Sequence, residues 1–407
     1  MKWQLKFQSI LKFKLWKDWK FYHFTKNLSD NYRRQERIEE KSKPPWDIMF
    51  FGTDEFSLKS LTALHREQQR SGLVGRLDVV SIPSKKTVFA VRQYCQKEGL
   101  PIQDWPVVVP HGIYDVGVVA SFGRLIPAAV IQAFPLGILN IHGSLLPRWR
   151  GAGPVVHAVL NNDSKTGITI MKIEPHRFDV GKMVSKVEVP ISWDTRSGAL
   201  SKYLADVGAQ EMIAVLQNLT VKLRDAIPQT EDGVTKAPKI SEASSKIDWN
   251  CCTCHKIQSM YRAFDDYFPL WTLWHGAPVK LRDMVMHKEW SHHHFSEMQV
   301  EEQITEGEAQ GSECIKENAI ENCEKSATDY DFAGDQNDIR KNCTVSRKNH
   351  PPGRVIFNKK MKVVSVLCRD GWVSFKSVII KGRKPMSALD FYNGFITKIP
   401  KDQHKFD

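Results

Sequence analysis

The chain has 407 residues, 42% of them hydrophobic, which is enough for two ordinary domains with extra segments. No apolar run approaches the ~18 residues needed to cross a bilayer, so no membrane span is expected, and of eight cysteines three crowd one short stretch and the rest are scattered, unlike a secreted disulfide framework. The formal charge of +12 is unevenly placed. Residues 1–45 hold 12 basic and 5 acidic residues, 289–338 hold 2 and 14, and 339–407 hold 16 and 4. The basic C-terminal end suits a polyanionic partner, although a lysine-rich solvated surface has the same composition.

Residues 1–28 interleave seven lysines with Trp3, Leu5, Phe7, Ile10, Leu11, Phe13, Leu15 and Trp16. Such a stretch forms a basic amphipathic helix, as matrix-targeting segments do; a membrane-surface helix is the rival reading. Lys43-Pro-Pro45 breaks the helix, so 1–45 reads as a targeting segment and linker.

From Trp46 an α/β rhythm begins. Ile48–Phe51, Leu77–Ile82, Asp115–Ser121, Gly137–His142 and Gly167–Ile173 read as strands. A helix capped by Asp54 with an apolar stripe of Phe56, Leu58, Leu61 and Leu64 follows the first strand. Val88–Glu98, Ile126–Phe134 and Thr195–Leu219 read as further helices. This alternation predicts a doubly wound, mostly parallel sheet over 46–235, the domain that the resemblance given below makes Rossmann-like. Residues 236–407 change character: a helix over Cys254–Phe264, then strand-like runs at Pro278–Leu281, Gly353–Phe357, Lys362–Cys368 and Trp372–Ile379. They predict a small β-barrel, OB-like by the resemblance given below, interrupted by an acidic, apolar-poor insertion over 289–349 that is expected to be disordered.

The densest chemistry lies in Gly137–Pro154, GILNIHGSLLPRWRGAGP. Asn140 and His142 are two apart on a strand and share a face, at the strand end where open α/β sheets bind ligands. A second strand leads to Asp179, just before Gly181. An amide, an imidazole and a carboxylate meet the needs of acyl transfer to an amine: a donor for the oxyanion, a proton relay and an orienting charge. Spacing alone also allows ordinary turn residues, and His176 is a competing histidine. Cys251-Cys-Thr-Cys254-His255 resembles half a zinc site, with Cys314, Cys323 or His292–His294 as partners. It falls on an expected helix, so no metal is expected.

Asn140-x-His142-x-Ser144-Leu145-Leu146-Pro147, followed by Arg148-Trp149-Arg150-Gly151-Ala-Gly-Pro154, resembles the signature of enzymes using 10-formyltetrahydrofolate. The Arg-Trp-Arg-Gly run is most similar to the methionyl-tRNA formyltransferase family. Phe51–Phe56, Val118–Arg124, Thr166–Met171, Phe178–Gly181, Ala237–Ile240, Ile247–Trp249, Tyr261–Phe264, Pro278–Leu281 and Gly371-Trp372 agree in order. Lys236–Lys239 and Asp390–Gly394 resemble the animal mitochondrial form. The resemblance covers about 46–288 and 350–400.

The resemblance implies catalytic roles for Asn140, His142 and Asp179. It implies folate contacts at Val118, Ala120, Ser121, Phe122, Gly123 and Arg124, at Ser144, Leu145, Leu146 and Pro147, and at Phe178, Val180 and Gly181. It implies methionyl-tRNA as partner, a monomer in the mitochondrial matrix, and a role in making the formylmethionyl initiator tRNA. Arg148, Arg150, Arg354, Lys360, Lys381, Arg383 and Lys384 are candidates for tRNA phosphate contacts. Bacterial members carry a long basic insertion after the second strand; here Ile82-Pro-Ser-Lys85-Lys86 remains, with Lys85 and Lys86 as candidates. Two alternatives stay open: a formyl-folate enzyme acting on a small amine, and a non-catalytic RNA-binding protein of this fold.

Overall fold

The computed structural model describes residues 41–70, 72–83, 89–287 and 351–407. The targeting segment, Lys85 and Lys86, and the 289–349 insertion with its Cys and His zinc candidates lie outside these residues. The chain forms two compact units: 1–158, 164–190 and 199–239 make the first, and 159–163, 191–198 and 240–407 the second.

The first unit is built on strands β1 (Trp46–Gly52), β2 (Val74–Ser81), β3 (Ile102–Asp104), β4 (Val116–Ala120), β5 (Ile138–His142), β6 (Lys165–Lys172) and β7 (Met183–Pro190). They form one sheet in the order β3-β2-β1-β4-β5-β6-β7. Strands β1 to β5 pair parallel, whereas β6 and β7 are antiparallel additions. The runs MFF and VGVVA are buried end to end, as strands covered on both faces must be. β3 and β7 escape the sequence reading for a physical reason. β3 has three half-buried or exposed residues, and β7 alternates at the edge of the sheet, so neither shows an apolar run.

Helices α1 (Glu55–Arg70), α2 (Ala90–Glu98), α3 (Ala128–Ile131), α4 (Pro154–Leu160), α5 (Ser197–Gln217) and α6 (Leu219–Arg224) accompany these strands. Asp54 caps α1, accepting from the Ser57 amide at 3.0 Å. The stripe differs from the expected one. Leu61 and Leu64 are buried as predicted, but Ser57 and Ser60 are buried where Phe56 and Leu58 are only half covered. The Ser57 hydroxyl meets its polar needs locally, donating to the Asp54 carbonyl at 2.8 Å and accepting from the Thr53 amide at 2.9 Å.

The second unit carries α7 (Cys254–Phe264), strands β8 (Trp271–Trp274), β9 (Ala277–Met284), β10 (Val355–Asn358), β11 (Val363–Leu367), β12 (Trp372–Ile380) and β13 (Met386–Ser387), and α8 (Ala388–Gly394). The antiparallel order is β10-β11-β12-β9-β8, with β13 on β12. Residues 404–407 join the two free edges: Phe406 bridges Trp274 at the β8 edge and Lys405 bridges Arg354 at the β10 edge. Phe406 is fully buried, stacked on Trp249 and Phe391 with centroids 6.1 and 6.2 Å away and edge-on to Trp274 at 5.3 Å. This short segment turns an open sheet into a barrel-like ring with few exposed edges.

Candidate active site

The strand order reverses at β1: β2 pairs on one side and β4 on the other, each parallel to it. Ligand sites of such sheets open beside this point, at the carboxyl ends of the strands. There the Thr53 hydroxyl donates to the Ser121 carbonyl at 2.9 Å, tying the ends of β1 and β4 together. Ser121 stands at φ +44° and bonds Asp54 through its hydroxyl. One strand further on, β5 pairs with β4 in the register Val119↔Asn140, which brings Asn140 and His142 beside the same opening.

Asn140, His142 and Asp179 converge. Asn140 Nδ2 lies 3.5 Å and His142 Nδ1 3.7 Å from the same Asp179 Oδ1. His142 is 6% exposed and the Asp179 side chain 12%, so the three meet in a largely dry corner. His142 Nε2 is 3.0 Å from the Trp149 carbonyl. A carbonyl only accepts, so Nε2 carries the proton, and in the neutral ring Nδ1 is left as the acceptor.

Asp179 is fixed from its other side. Its Oδ2 accepts the Gly151 amide at 2.9 Å, the shortest contact its carboxylate makes in this cluster. Its backbone sits at φ +54°, in the left-handed region that aspartate and asparagine enter more readily than other non-glycine residues. The Gln229 amide donates to the Asp179 and Gly181 carbonyls, both at 2.9 Å, and its Oε1 accepts from Arg150 Nε at 3.0 Å. Gly181 itself is packed backbone to backbone: an added Cβ would lie 1.7 Å from the Lys172 carbonyl oxygen. Residues 235–237 run beside the Arg148–Gly151 loop, with Lys236 bridging Arg150. The Trp149 amide donates to the Thr235 hydroxyl at 2.8 Å, the Arg150 amide to the Thr235 carbonyl at 2.9 Å, and the Ala237 amide to the Arg150 carbonyl at 2.8 Å. Arg148 is exposed and stacks over Trp149 at 4.4 Å, and the Trp149 ring stacks on His157 at 5.5 Å.

The remaining candidates fall into distinct places. Val118, Ala120, Phe122, Ser144 and Leu146 are buried, so they present backbone or shape rather than free side chains. Phe122 belongs to the core, edge-on to Phe51 at 5.6 Å and Trp105 at 5.3 Å. Ser144 and Leu146 shape the loop: Ser144 Oγ donates to the Arg148 carbonyl at 2.7 Å, and the Leu146 amide to Thr169 Oγ1 at 3.1 Å. Gly123 and Arg124 are exposed, Leu145, Pro147 and Val180 half-buried, and Phe178 is 62% exposed beside Asp179. Arg150 is turned inward to Gln229. In the second unit Lys360, Lys381, Arg383 and Lys384 are exposed and Arg354 is half-buried. The register Val364↔Phe375 and Val378↔Leu281 places the 359–362 and 381–384 turns at one end of the sheet. His176 lies exposed at φ +65°, and no ion pair or hydrogen bond joins it to Asp179 among the described residues. The roles of Trp149, Gly151, Gln229 and Thr235 were not read from the sequence. Trp149 and Gly151 sit inside the singled-out loop, but they act through backbone atoms that residue identity does not advertise. Gln229 lies about fifty residues from Asp179 in an otherwise exposed stretch and gives no local signal.

Comparisons with known proteins define a formyl-transferring enzyme. Residues 108–216 match the formyl transferase family and 331–396 the formyl transferase C-terminal domain. The mitochondrial methionyl-tRNA formyltransferase of Homo sapiens is 38% identical, aligned over 89% of this chain and 80% of its own. The methionyl-tRNA formyltransferase of Chromohalobacter salexigens is 33% identical over 58% of this chain and 74% of its own. Among solved structures, an N-formyltransferase from Helicobacter canadensis, complexed with folinic acid and dTDP-3-aminofucose, superposes with a TM-score of 0.50 at 13% identity, covering 81% of this chain and 98% of that one. At that identity it speaks to the fold alone. The chain belongs to the methionyl-tRNA formyltransferase family. Its bovine and rat relatives, like the human one, are of the mitochondrial type, and so is this chain.

Proposed function

We propose that the chain moves the formyl group of 10-formyltetrahydrofolate onto the α-amino group of methionyl-tRNA in the mitochondrial matrix, acting as a monomer, with Asn140, His142 and Asp179 as its catalytic residues. The observation that supports this reading is the approach of Asn140 Nδ2 and His142 Nδ1 to one oxygen of Asp179, at 3.5 and 3.7 Å.

In this reading the amine nitrogen attacks the formyl carbon, and the carbonyl π pair moves onto oxygen. Asn140 Nδ2–H is the donor that meets the developing oxyanion. The bond from His142 Nε2 to the Trp149 carbonyl leaves Nδ1 as a base. Nδ1 takes the proton lost by the amine, and the imidazolium so formed is stabilised by Asp179. The same proton then goes to the folate nitrogen as the carbon–nitrogen bond to the donor breaks. No enzyme nucleophile is consumed, because the attacking atom belongs to the acceptor. His142 therefore serves as proton relay, and the oxyanion falls to Asn140.

Folate lies along the Val118–Arg124 turn, the Asn140–Pro147 strand end and the Phe178–Gly181 loop. The tRNA is held through the exposed basic turns of the C-terminal domain, 236–407, and Arg148 at the mouth of the 46–235 catalytic domain. Lys85 and Lys86 are further candidates for phosphate contacts. The test is formyl transfer from 10-formyltetrahydrofolate to methionyl-tRNA set against small amines and an aminosugar nucleotide. Turnover on methionyl-tRNA alone supports the reading. Preference for a small amine, or folate binding without turnover, overturns it.

A further inference from the structure

The stretch 227–237 continues from α6 and crosses the catalytic loops. Ile227 pairs with Met183, and Lys236 with Arg150. Between these two fixed points the backbone is largely exposed, from Pro228 to Gly233, yet Gln229 alone among these residues is half-buried. Its amide is used completely. Nε2 places its hydrogens on two acceptors, the Asp179 and Gly181 carbonyls, each at 2.9 Å. Oε1 faces the Arg150 guanidinium, which only donates, at 3.0 Å. The orientation of the amide is therefore fixed by its partners.

We infer that Gln229 is a positioning residue for formyl transfer: it clamps the backbone on both sides of Val180 and so holds the Asp179 carboxylate against Asn140 and His142. Three observations on separate atoms support this. Asp179 occupies a left-handed backbone conformation, φ +54°, which aspartate tolerates better than most residues but which the extended alternatives still compete with. Gln229 grips its carbonyl. The Arg150 that fixes the amide is followed by Gly151, whose N–H holds Asp179 Oδ2 at 2.9 Å. The ring Gln229–Arg150–Gly151–Asp179 is thus closed by two bonds to Asp179, one to its backbone and one to its side chain. Glutamate in the same place would set a carboxylate against two carbonyls, and alanine would release both.

The inference rests on Asp179 being part of the active site, so the experiment separates the two. Single-turnover formyl transfer to methionyl-tRNA is measured for the full chain, Gln229→Ala, Asp179→Asn and the double variant, with thermal melting alongside. A displacement of order 1 Å at a catalytic group lowers a rate by about 10–100-fold. Gln229→Ala is expected to show that loss with an unchanged melting temperature. It is expected to add less than about two-fold in the Asp179→Asn background, because residues acting through one group are not additive. Near-normal transfer by Gln229→Ala beside a crippled Asp179→Asn overturns the role of Gln229. Additive losses overturn it too, since they mean that Gln229 acts elsewhere. An active Asp179→Asn sinks instead the active-site reading. If Gln229→Ala melts early, Gln229→Glu, which keeps the shape but lacks both donors, is read by the same criteria.

Discussion

Gly151 donates its backbone N–H to Asp179 Oδ2 at 2.9 Å, closer than either side chain that approaches the other oxygen of the same carboxylate. The carboxylate is thus anchored by backbone on one side and left available to Asn140 and His142 on the other. An anchor made of backbone depends on where the backbone runs, and at Gly151 the path is tight.

Gly151 has φ +133°, and an added Cβ would lie 2.4 Å from the Ala237 carbonyl oxygen. Gly151→Ala must therefore push the 235–237 segment away or move the loop, and either motion lengthens the bond to Asp179. Transfer is expected to fall about 10–100-fold, with a stability loss of about 1–3 kcal/mol from the strained backbone. Single-turnover kinetics and urea unfolding check both; an unchanged rate would show that the Gly151 N–H does not hold Asp179.

Asn140→Ala removes the side-chain N–H assigned to the oxyanion. Loss of one such donor costs about 10²–10³ in turnover. Asn140 is half-buried in the middle of β5, and among the described residues its side chain has no hydrogen bond beyond the long contact with Asp179. The melting temperature should therefore hold. Wild-type turnover in this variant removes Asn140 from the chemistry.

The readable parts of the molecule were those with strong periodicity or dense motifs. The buried runs of β1, β4 and β5 announced a parallel sheet, and Cys254–Phe264 is a helix with the predicted ends. Asn140 and His142 could be placed on one face because strand alternation is rigid. Asp179 could be named only through its neighbour Gly181 and a family resemblance, since nothing local says that the loop folds back to β5. The closing of the barrel by Phe406 was not legible at all. It depends on two edges that lie far apart in sequence and meet a four-residue segment. Nor was the burial of Ser57 and Ser60, which reflects a close approach of α1 to the sheet rather than hydrophobicity.

The exposed turn at 381–384 carries Lys381, Arg383 and Lys384, with the Arg383 guanidinium 5.1 Å over the Phe395 ring. Replacing all three by Glu is expected to weaken methionyl-tRNA binding and flatten its salt dependence. Each lost phosphate contact lowers the slope of log K against log salt by about 0.7–0.9. Filter binding across a salt series reads this directly. An unaltered slope clears the turn of any phosphate contact, and the 359–362 turn at the same end of the sheet becomes the next to reverse.

Cysteine reactivity should sort by burial. Burial pushes the Cys95 thiol up to about 11. At pH 8 its thiolate fraction is then about 10⁻³, too small for rapid alkylation. Cys254 is also raised, by its contact with Cys368 and by burial, and both are almost wholly covered. Cys251 is exposed. Iodoacetamide labelling of the native protein, mapped by peptide mass, should modify Cys251 well before Cys95, Cys254 and Cys368. Early labelling of Cys95 would mean that α2 opens readily from the sheet.

Phe406 is the side chain on which the ring of the second unit closes. It is 0% exposed, and its amide and carbonyl neighbourhood bonds both edges: the Phe406 amide donates to the Gly353 carbonyl at 2.9 Å and the Asp407 amide to the Leu273 carbonyl at 3.0 Å. Truncating a buried phenylalanine costs about 3–5 kcal/mol. Phe406→Ala leaves a cavity against Trp249, Trp274 and Phe391, and it loosens the segment that joins β8 to β10. Unfolding of the C-terminal unit should therefore come at lower denaturant, with tryptophan fluorescence shifting to the red there first. Because the candidate catalytic groups lie in the other unit, folate binding should persist where methionyl-tRNA binding is already lost. Coincident loss of both would mean that the two units unfold as one.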